Sequence, residues 1–214
     1  MTLACAPPPG PPRPLLVVRL AAGSVLWRVH SAEFAVDAFN TTDPDSDCAG
    51  GGGRFDSPGG VPPYLYAAAT EDAAIAEVLL RDVPLSDHGY RELPRTELAG
   101  RVLSTVEMTR PIKVVALHGK GLHAVGQSDN WLASCGPAEY PGTRAWAQAL
   151  MAWSPGAAGL VWRARHFDDE FAYVLYENRA TGALRVVNSL AADTGEGLAR
   201  VRAALRRLAV AAPE

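Results

Sequence analysis

Residues 50–80 read GGGGRFDSPGGVPPYLYAAATEDAAIAEVLL. Four glycines, Gly50 to Gly53, lead into Arg54-Phe55, Tyr64-Leu65-Tyr66 follows, and Thr70 to Leu80 closes the stretch. The last piece predicts a helix. Thr70 can cap it, and Glu71 and Asp72 put negative charge at the positive end of its dipole. From Ala73 to Leu80 every residue is apolar except Glu77. A carboxylate in such a run must be solvated at a cleft or paired, because burying it alone is very unfavourable. Tyr64 to Ala67 predicts a brief strand, so the stretch reads loop, strand, helix. Bare glycines let a ligand reach the backbone, Arg54 can fork onto a phosphate, and Glu77 can grip a hydroxyl. Those parts suit a phosphorylated sugar such as the ribose-diphosphate of a dinucleotide.

On the N-terminal side, Leu15 to Leu20 is a short apolar run and Val25 to His30 reads as a second strand. Val25, Trp27 and Val29 share one face of it, while Leu26, Arg28 and His30 share the other. Residues 40–62 form a long polar segment rich in Gly and Pro, a length of loop that is usually functional or disordered. On the C-terminal side, Arg101–Met108 and Ile112–Leu117 are strand-like, and Pro141-Gly142-Thr143 begins an alanine-rich helix through about Trp153. Ala158–Trp162, Phe171–Tyr176 and Leu184–Val187 read as strands, with Thr181-Gly182 a hairpin-type turn. A last helix from about Glu196 carries an apolar stripe of Leu198, Val201, Leu205 and Leu208. Short strands with three helices and no internal repeat make one mixed α+β domain.

The 214 residues are 48% hydrophobic and 20% charged, enough for one sizeable core. A net charge of −3 leaves no basic footprint for nucleic acid. Lys is scarce beside Arg, which favours forked phosphate contacts but also follows from GC-rich coding. Cys5, Cys48 and Cys135 stand far apart without ligand-spaced histidines, against a zinc site or a disulfide framework and in keeping with a reducing cytoplasm. Residues 1–14 hold six prolines and read as a disordered leader or as an artefact of start-codon placement, although Leu3-Ala4-Cys5 faintly resembles a lipoprotein cleavage site. No apolar run approaches the ~20 residues of a membrane span.

Each candidate site residue has a plain alternative. Arg28 is either a phosphate clamp or an arginine whose stem covers apolar surface while its head meets a carboxylate. Gly50 to Gly53 is a ligand loop or a linker, and it is neither a dinucleotide fingerprint nor a Walker loop. Tyr66 is core, or a ring that stacks on a base or nicotinamide. Glu77 lies at a cleft or on a solvated face. His166-Phe167-Asp168-Asp169-Glu170 looks like a ligand cluster but fits a solvated acidic loop better. Thr143 and Ser189 are hydroxyls with no distinguishing context, and no nucleophile elbow supports a Ser-His-Asp triad.

In order, Trp27-Arg28, Gly52-Gly53-Arg54-Phe55, Tyr66, and Glu77-Val78 eleven residues later resemble the RES domain. Tyr140-Pro141-Gly142-Thr143-Arg144 and Gly159 to Arg165 extend the likeness over about residues 15–190. That family is named for a recurrent arginine, glutamate and serine and includes bacterial toxin components that attack NAD. The resemblance implies a single catalytic domain over 15–214, similar to ADP-ribosyltransferases, with a split mixed β-sheet, flanking helices and NAD in a central cleft. It implies Arg28 and Arg54 on the diphosphate beside Gly53 and Phe55, Tyr66 on the nicotinamide side, and Glu77 on the ribose. The nicotinamide–ribose bond would be cleaved without a metal, with inorganic phosphate, water or a protein side chain as acceptor, and a cognate antitoxin would cover the cleft mouth. Protein ADP-ribosylation and an inactive nucleotide-binding or partner-binding module are the alternatives. Where relatives carry the serine, this chain has Pro141 or Thr143 and Ala164, so Thr143 would supply the hydroxyl. Val29 and Asp56 also depart from the pattern, in place of an aromatic and an asparagine. An exposed stripe on the last helix would serve a homo-oligomer.

Overall fold

The computed structural model describes residues 6–46 and 52–212. Gly50, Gly51, Cys5 and Cys48 therefore lie outside the described residues, as does the start of the Pro-rich leader. Residues 6–14 contain no helix or strand. The strands are β1 (Val17–Leu20), β2 (Val25–Ser31), β3 (Tyr64–Ala68), β4 (Arg91–Glu92), β5 (Arg101–Met108), β6 (Ile112–Leu117), β7 (Gly159–Ala164), β8 (Phe167–Tyr176), β9 (Leu184–Ala191) and β10 (Val210–Ala211). The helices are α1 (Glu71–Leu79), α2 (Lys120–Ala124), α3 (Trp131–Ser134), α4 (Tyr140–Trp153), α5 (Glu177–Ala180) and α6 (Gly195–Arg207). Eight strands form one mixed sheet in the order β1-β6-β7-β8-β3-β2-β5-β9, in which β6 and β7 run parallel.

Alternation along the strands decides which side chains reach which core. Tyr64, Ala68, Val115, Leu117, Leu160, Trp162, Val174 and Tyr176 face the larger core, which takes in α1, α4 and α6. Their neighbours Leu65, Ala67, Val114, Ala116, Val161, Tyr173 and Leu175 face a smaller one completed by Val36 and Phe39. Both faces of β6 and β7 are buried, which accounts for their continuous apolar sequence.

The sheet is nearly split. β2 and β3 meet through one residue pair, Trp27 with Ala68, whereas β2 runs fully against β5 and β3 fully against β8. α1 starts where the sequence predicts, with the Thr70 hydroxyl accepting from Ala73 N at 3.3 Å. Its first-turn acids do more than complement a dipole. Glu71 receives two hydrogen bonds from Arg200, Asp72 two from Arg207, and together they bind α1 to α6.

Four sequence expectations change, the first being the helix count, six α-helices among the described residues against the three that the pattern predicts. Thr181-Gly182 is a turn, with Gly182 at φ 68°, but it makes no hairpin: it follows α5, and β8 and β9 lie at separate places in the sheet. The acidic run 168–170 belongs to β8, which begins at Phe167. The stripe of α6 is not exposed, because Leu198, Val201 and Leu205 are buried in the larger core while the arginines off the stripe engage α1. That stripe is unavailable to a second copy. Among the described residues no helix is long and apolar enough to cross a membrane. Leu205→Ala is expected to lower stability by about 2–5 kcal/mol in urea denaturation, the range for an internal cavity. A change of less than about 0.5 kcal/mol, the surface value, would restore the exposed-stripe reading.

Candidate active site

Beyond the Trp27–Ala68 pair the strands diverge, and a cavity of ≈ 690 Å³ opens between the half-sheets. That volume lies in the ~300–1,000 Å³ range of small-molecule sites. β2 contributes Arg28, the glycine loop Gly53 and Arg54, β3 Tyr64 and Tyr66, and α1 Glu77. Arg28, Gly53, Arg54, Tyr66 and Glu77, which the sequence singles out, therefore meet in one place. Phe55 and Thr143 do not line it.

Arg28 donates from Nη1 to the carbonyls of Val36 and Ala38, while its Nε, buried, has no partner. Burial pushes its pKa down to about 10, against the opposing pull of Asp37, so it stays charged at neutral pH. Arg54 is buried under the rings of Phe55 and Tyr140, and its Nε is also unpartnered.

The loop around Arg54 is held by Asp56, whose importance the sequence does not announce. Its carboxylate accepts from Gly53 N at 2.6 Å and from the Tyr66 hydroxyl at 2.8 Å. A Cβ on Gly53 would sit 2.6 Å from Asp56 Oδ1 and 2.9 Å from the Tyr66 hydroxyl, so only glycine fits. Arg144 of α4 closes the other side, donating to Gly53 O at 3.2 Å and pairing with Asp45 at 2.6 Å. The Tyr66 ring thus faces the cavity while its hydroxyl is used within the fold. Burial and the Asp56 charge raise that hydroxyl well above the usual tyrosine range. Phe55 is fully buried against Trp162, with ring centroids 4.9 Å apart.

Thr143 differs most from expectation. It is fully buried, and its hydroxyl donates to Arg54 O at 2.5 Å, with Tyr140 O at 3.1 Å. It fixes the backbone of the arginine and does not reach the cavity.

Glu77 Oε1 accepts the backbone N–H of Arg165 at 2.5 Å. Burial raises its pKa, opposed by Arg54 and by the N–H groups of Arg165 and Trp162. The Trp162 indole N–H is close enough to favour the carboxylate's charge, yet falls short of hydrogen-bond geometry. Arg165 and His166, on the turn between β7 and β8, also line the cavity. The sequence hides His166 among the acids that follow it, although period-2 counting from Leu160 and Trp162 puts it on their inward face.

Among the described residues, four buried side-chain polar atoms lack a hydrogen-bond partner: Arg28 Nε, Arg54 Nε, Trp162 Nε1 and His166 Nε2. All four belong to residues lining this cavity. Buried polar groups are nearly always paired, so four orphaned nitrogens in one hollow mark a place for a ligand rich in acceptors. Among the described residues no group of three or more His, Cys, Asp or Glu could hold a metal ion.

A deep split in a mixed sheet, lined by arginines and by four carboxylates of which only Glu77 is not exposed, defines the class of site. The family model of the RES domain matches residues 25–196, and the chain belongs to that family. None of the curated proteins matches it. Among solved structures it is similar to a chain of the M. tuberculosis MbcT–MbcA toxin–antitoxin complex, at 20% identity over 80% of this chain and 85% of that one, with a TM-score of 0.59. At that identity the likeness bears on the fold alone.

Thr143→Val keeps the shape and removes the donor to Arg54 O. Stability is expected to fall by about 1–3 kcal/mol, the cost of an unsatisfied buried acceptor, with Thr143→Ser retaining most of it. Chemical denaturation of the three proteins measures this, and equal midpoints would deny the hydroxyl its structural role.

Proposed function

We propose that this protein consumes NAD by cleaving the nicotinamide–ribose bond, and that it is the toxin of a toxin–antitoxin pair. The observation that carries the reading is the set of four orphaned nitrogens around the one carboxylate of the cleft that is not exposed. A dinucleotide offers what they lack: a diphosphate for Arg28 and Arg54, an amide and ribose oxygens for the others, and hydroxyls for Glu77. The family to which the chain belongs and the toxin–antitoxin neighbour support the same assignment. The neighbour, seen in a toxin–antitoxin complex, also supports a partner protein for this chain.

The chemistry follows from charge. As the C1′–N bond lengthens, its electron pair moves onto the nicotinamide ring and positive charge develops on the ribose, as in glycoside cleavage. Glu77, held by Arg165 N–H, faces that charge with its position already fixed, so little reorganisation accompanies the step. Arg28 and Arg54 keep the diphosphate still, and the rings of Tyr66 and Trp162 wall the nicotinamide end. Phosphate, water or a side chain then takes the ribosyl carbon. Thr143 acts as a positioning residue for Arg54.

NAD loss by the purified protein, with and without inorganic phosphate and with products resolved by mass spectrometry, tests the reading. Release of nicotinamide is expected, with an ADP-ribose phosphate product when phosphate is the acceptor. No loss under either condition would overturn it in favour of protein modification or binding without turnover. Glu77→Gln should lower turnover by about 10²–10³-fold, the range for losing one group that stabilises transition-state charge, while NAD still binds. Unchanged turnover would remove Glu77 from the mechanism. Because the working form is the carboxylate and its pKa is raised, kcat/KM should rise with pH through a limb above the ordinary glutamate range. A limb at the ordinary value would contradict the burial argument.

A further inference from the structure

Away from the cleft, at the end of the sheet where β1 is the edge strand, lies a second hollow of ≈ 520 Å³. Arg19, Arg110, Lys113 and Arg179 line it, no carboxylate does, and it shares no residue with the cleft. Arg19 of β1 and Lys113 of β6 are direct cross-strand partners, so their side chains stand on one face of the sheet. Both are exposed, and neither has a hydrogen-bond or ion-pair partner among the described residues. Like charges directly opposite one another are destabilising, and here nothing offsets them. A cation on an edge strand can guard against pairing with another chain. That accounts for Arg19 but not for Lys113, because β6 is an inner strand paired on both sides. The other two cations are fixed by carbonyls. Arg110 donates from Nη2 to Arg179 O at 3.1 Å and Thr181 O at 3.4 Å. Arg179 donates to Ser154 O and Ala157 O, both at 2.9 Å, and to Met151 O at 3.0 Å. Neutral acceptors orient a guanidinium but leave its net charge in place.

We propose that this hollow binds a short phosphate chain, either free or carried by a nucleoside, at a site separate from the cleft. The site is independent of NAD cleavage. Charge density decides the class of ligand. Cross-strand partners hold their Cβ atoms ~4.5–5.5 Å apart, so Arg19 and Lys113 present two positive charges close together. Consecutive phosphates share a single bridging oxygen, so one chain meets both cations while the fork of Arg110 takes a further group. Carboxylates on one face of an extended acidic peptide stand two residues, about 7 Å, apart and match the pair less well. Extent decides against nucleic acid. The whole chain carries −3, so a long polyanion meets repulsion beyond the patch. A short one stays within a Debye length, ~8 Å at physiological salt, of the four cations. The volume of the hollow also falls in the ~300–1,000 Å³ range of small-molecule sites.

Calorimetric titration with inorganic tripolyphosphate, comparing wild type with the double variant Arg19→Thr/Lys113→Thr, tests the site. Threonine is a strand former and both positions are exposed, so the fold is kept. The double variant should bind tripolyphosphate about tenfold more weakly or worse, the effect of losing hydrogen bonds to a charged group. Lys113→Arg, which keeps the charge, should bind as wild type does. Tripolyphosphate should also raise the urea midpoint of wild type more than that of the double variant. Equal affinity in the two proteins would move the binding to the arginines of the cleft and overturn the site. Tighter binding of a pentaglutamate peptide than of tripolyphosphate would overturn the ligand class in favour of an acidic protein segment. ATP distinguishes the two sources of the phosphate chain. Binding of ATP as tight as that of tripolyphosphate, and weakened by the same double substitution, sustains the site and assigns it to a nucleotide. Binding of tripolyphosphate but not of ATP sustains it and assigns it to the free chain.

Discussion

Two neighbouring strands that pair at one point impose the geometry on which the rest of this molecule depends. Strands that part company leave backbone donors and acceptors facing each other across a gap, and buried groups of that kind must find other partners. Here they do. Asn40 takes the place of β2 opposite Tyr64, giving and receiving backbone hydrogen bonds at 2.7 and 3.0 Å. Arg28 turns its guanidinium onto the carbonyls of Val36 and Ala38, so the segment after β2 hangs from the residue that lines the wedge. Each diverging strand has a full partner on its other edge, seven residue pairs with β5 for β2 and five with β8 for β3. The opening is therefore a built hollow with stiff walls.

Inside that hollow, precision depends on the glycine loop. Asp56, buried, ties Gly53 to Tyr66, Arg144 ties Gly53 to Asp45, and Thr143 ties Arg54 to α4. Breaking one member of a buried charged network leaves the others unpaired, which is far more destabilising than the worth of any single bond. The loop thus behaves as a unit. Arg54 arrives at the cavity with its backbone already fixed, which is what electrostatic catalysis requires of a charged group.

Much of this was legible in the chain, and the exceptions have a common cause. Arg101–Met108 and Ile112–Leu117 match the observed strands end to end, because their pattern and flanking turns are local properties. Thr70, the acidic first turn of α1 and the apolar run around Glu77 are local too, as are the arginine and glycine residues around the cleft. What escaped depends on distant partners. The task of Thr143 is set by a carbonyl 89 residues earlier, and that of Asp56 by a tyrosine ten residues later whose ring must turn inward. The α6 stripe is plain in the sequence, but its direction follows from Arg200 and Arg207 reaching α1. His166 follows the inward alternation of Leu160 and Trp162, but the acids after it make the segment read as a solvated loop.

The unpaired nitrogens of the cavity bring stability and function into opposition. An apolar lining would satisfy the fold better, since each buried donor without a partner is destabilising by about 1–3 kcal/mol. The wedge concentrates such donors, and its lining holds five arginines against four carboxylates. Desolvation has already drawn Arg28 down to about 10, so its charge is held out of water at a penalty. Only a ligand with acceptor groups and negative charge relieves these penalties together, and any such ligand stabilises the folded chain by the free energy it recovers. Of the four carboxylates only Glu77 is not exposed, so a cation drawn out of water would meet it, and its raised proton affinity, deepest in the wedge. The lining therefore favours a ligand by charge distribution, negative toward Arg28 and Arg54 and positive toward Glu77.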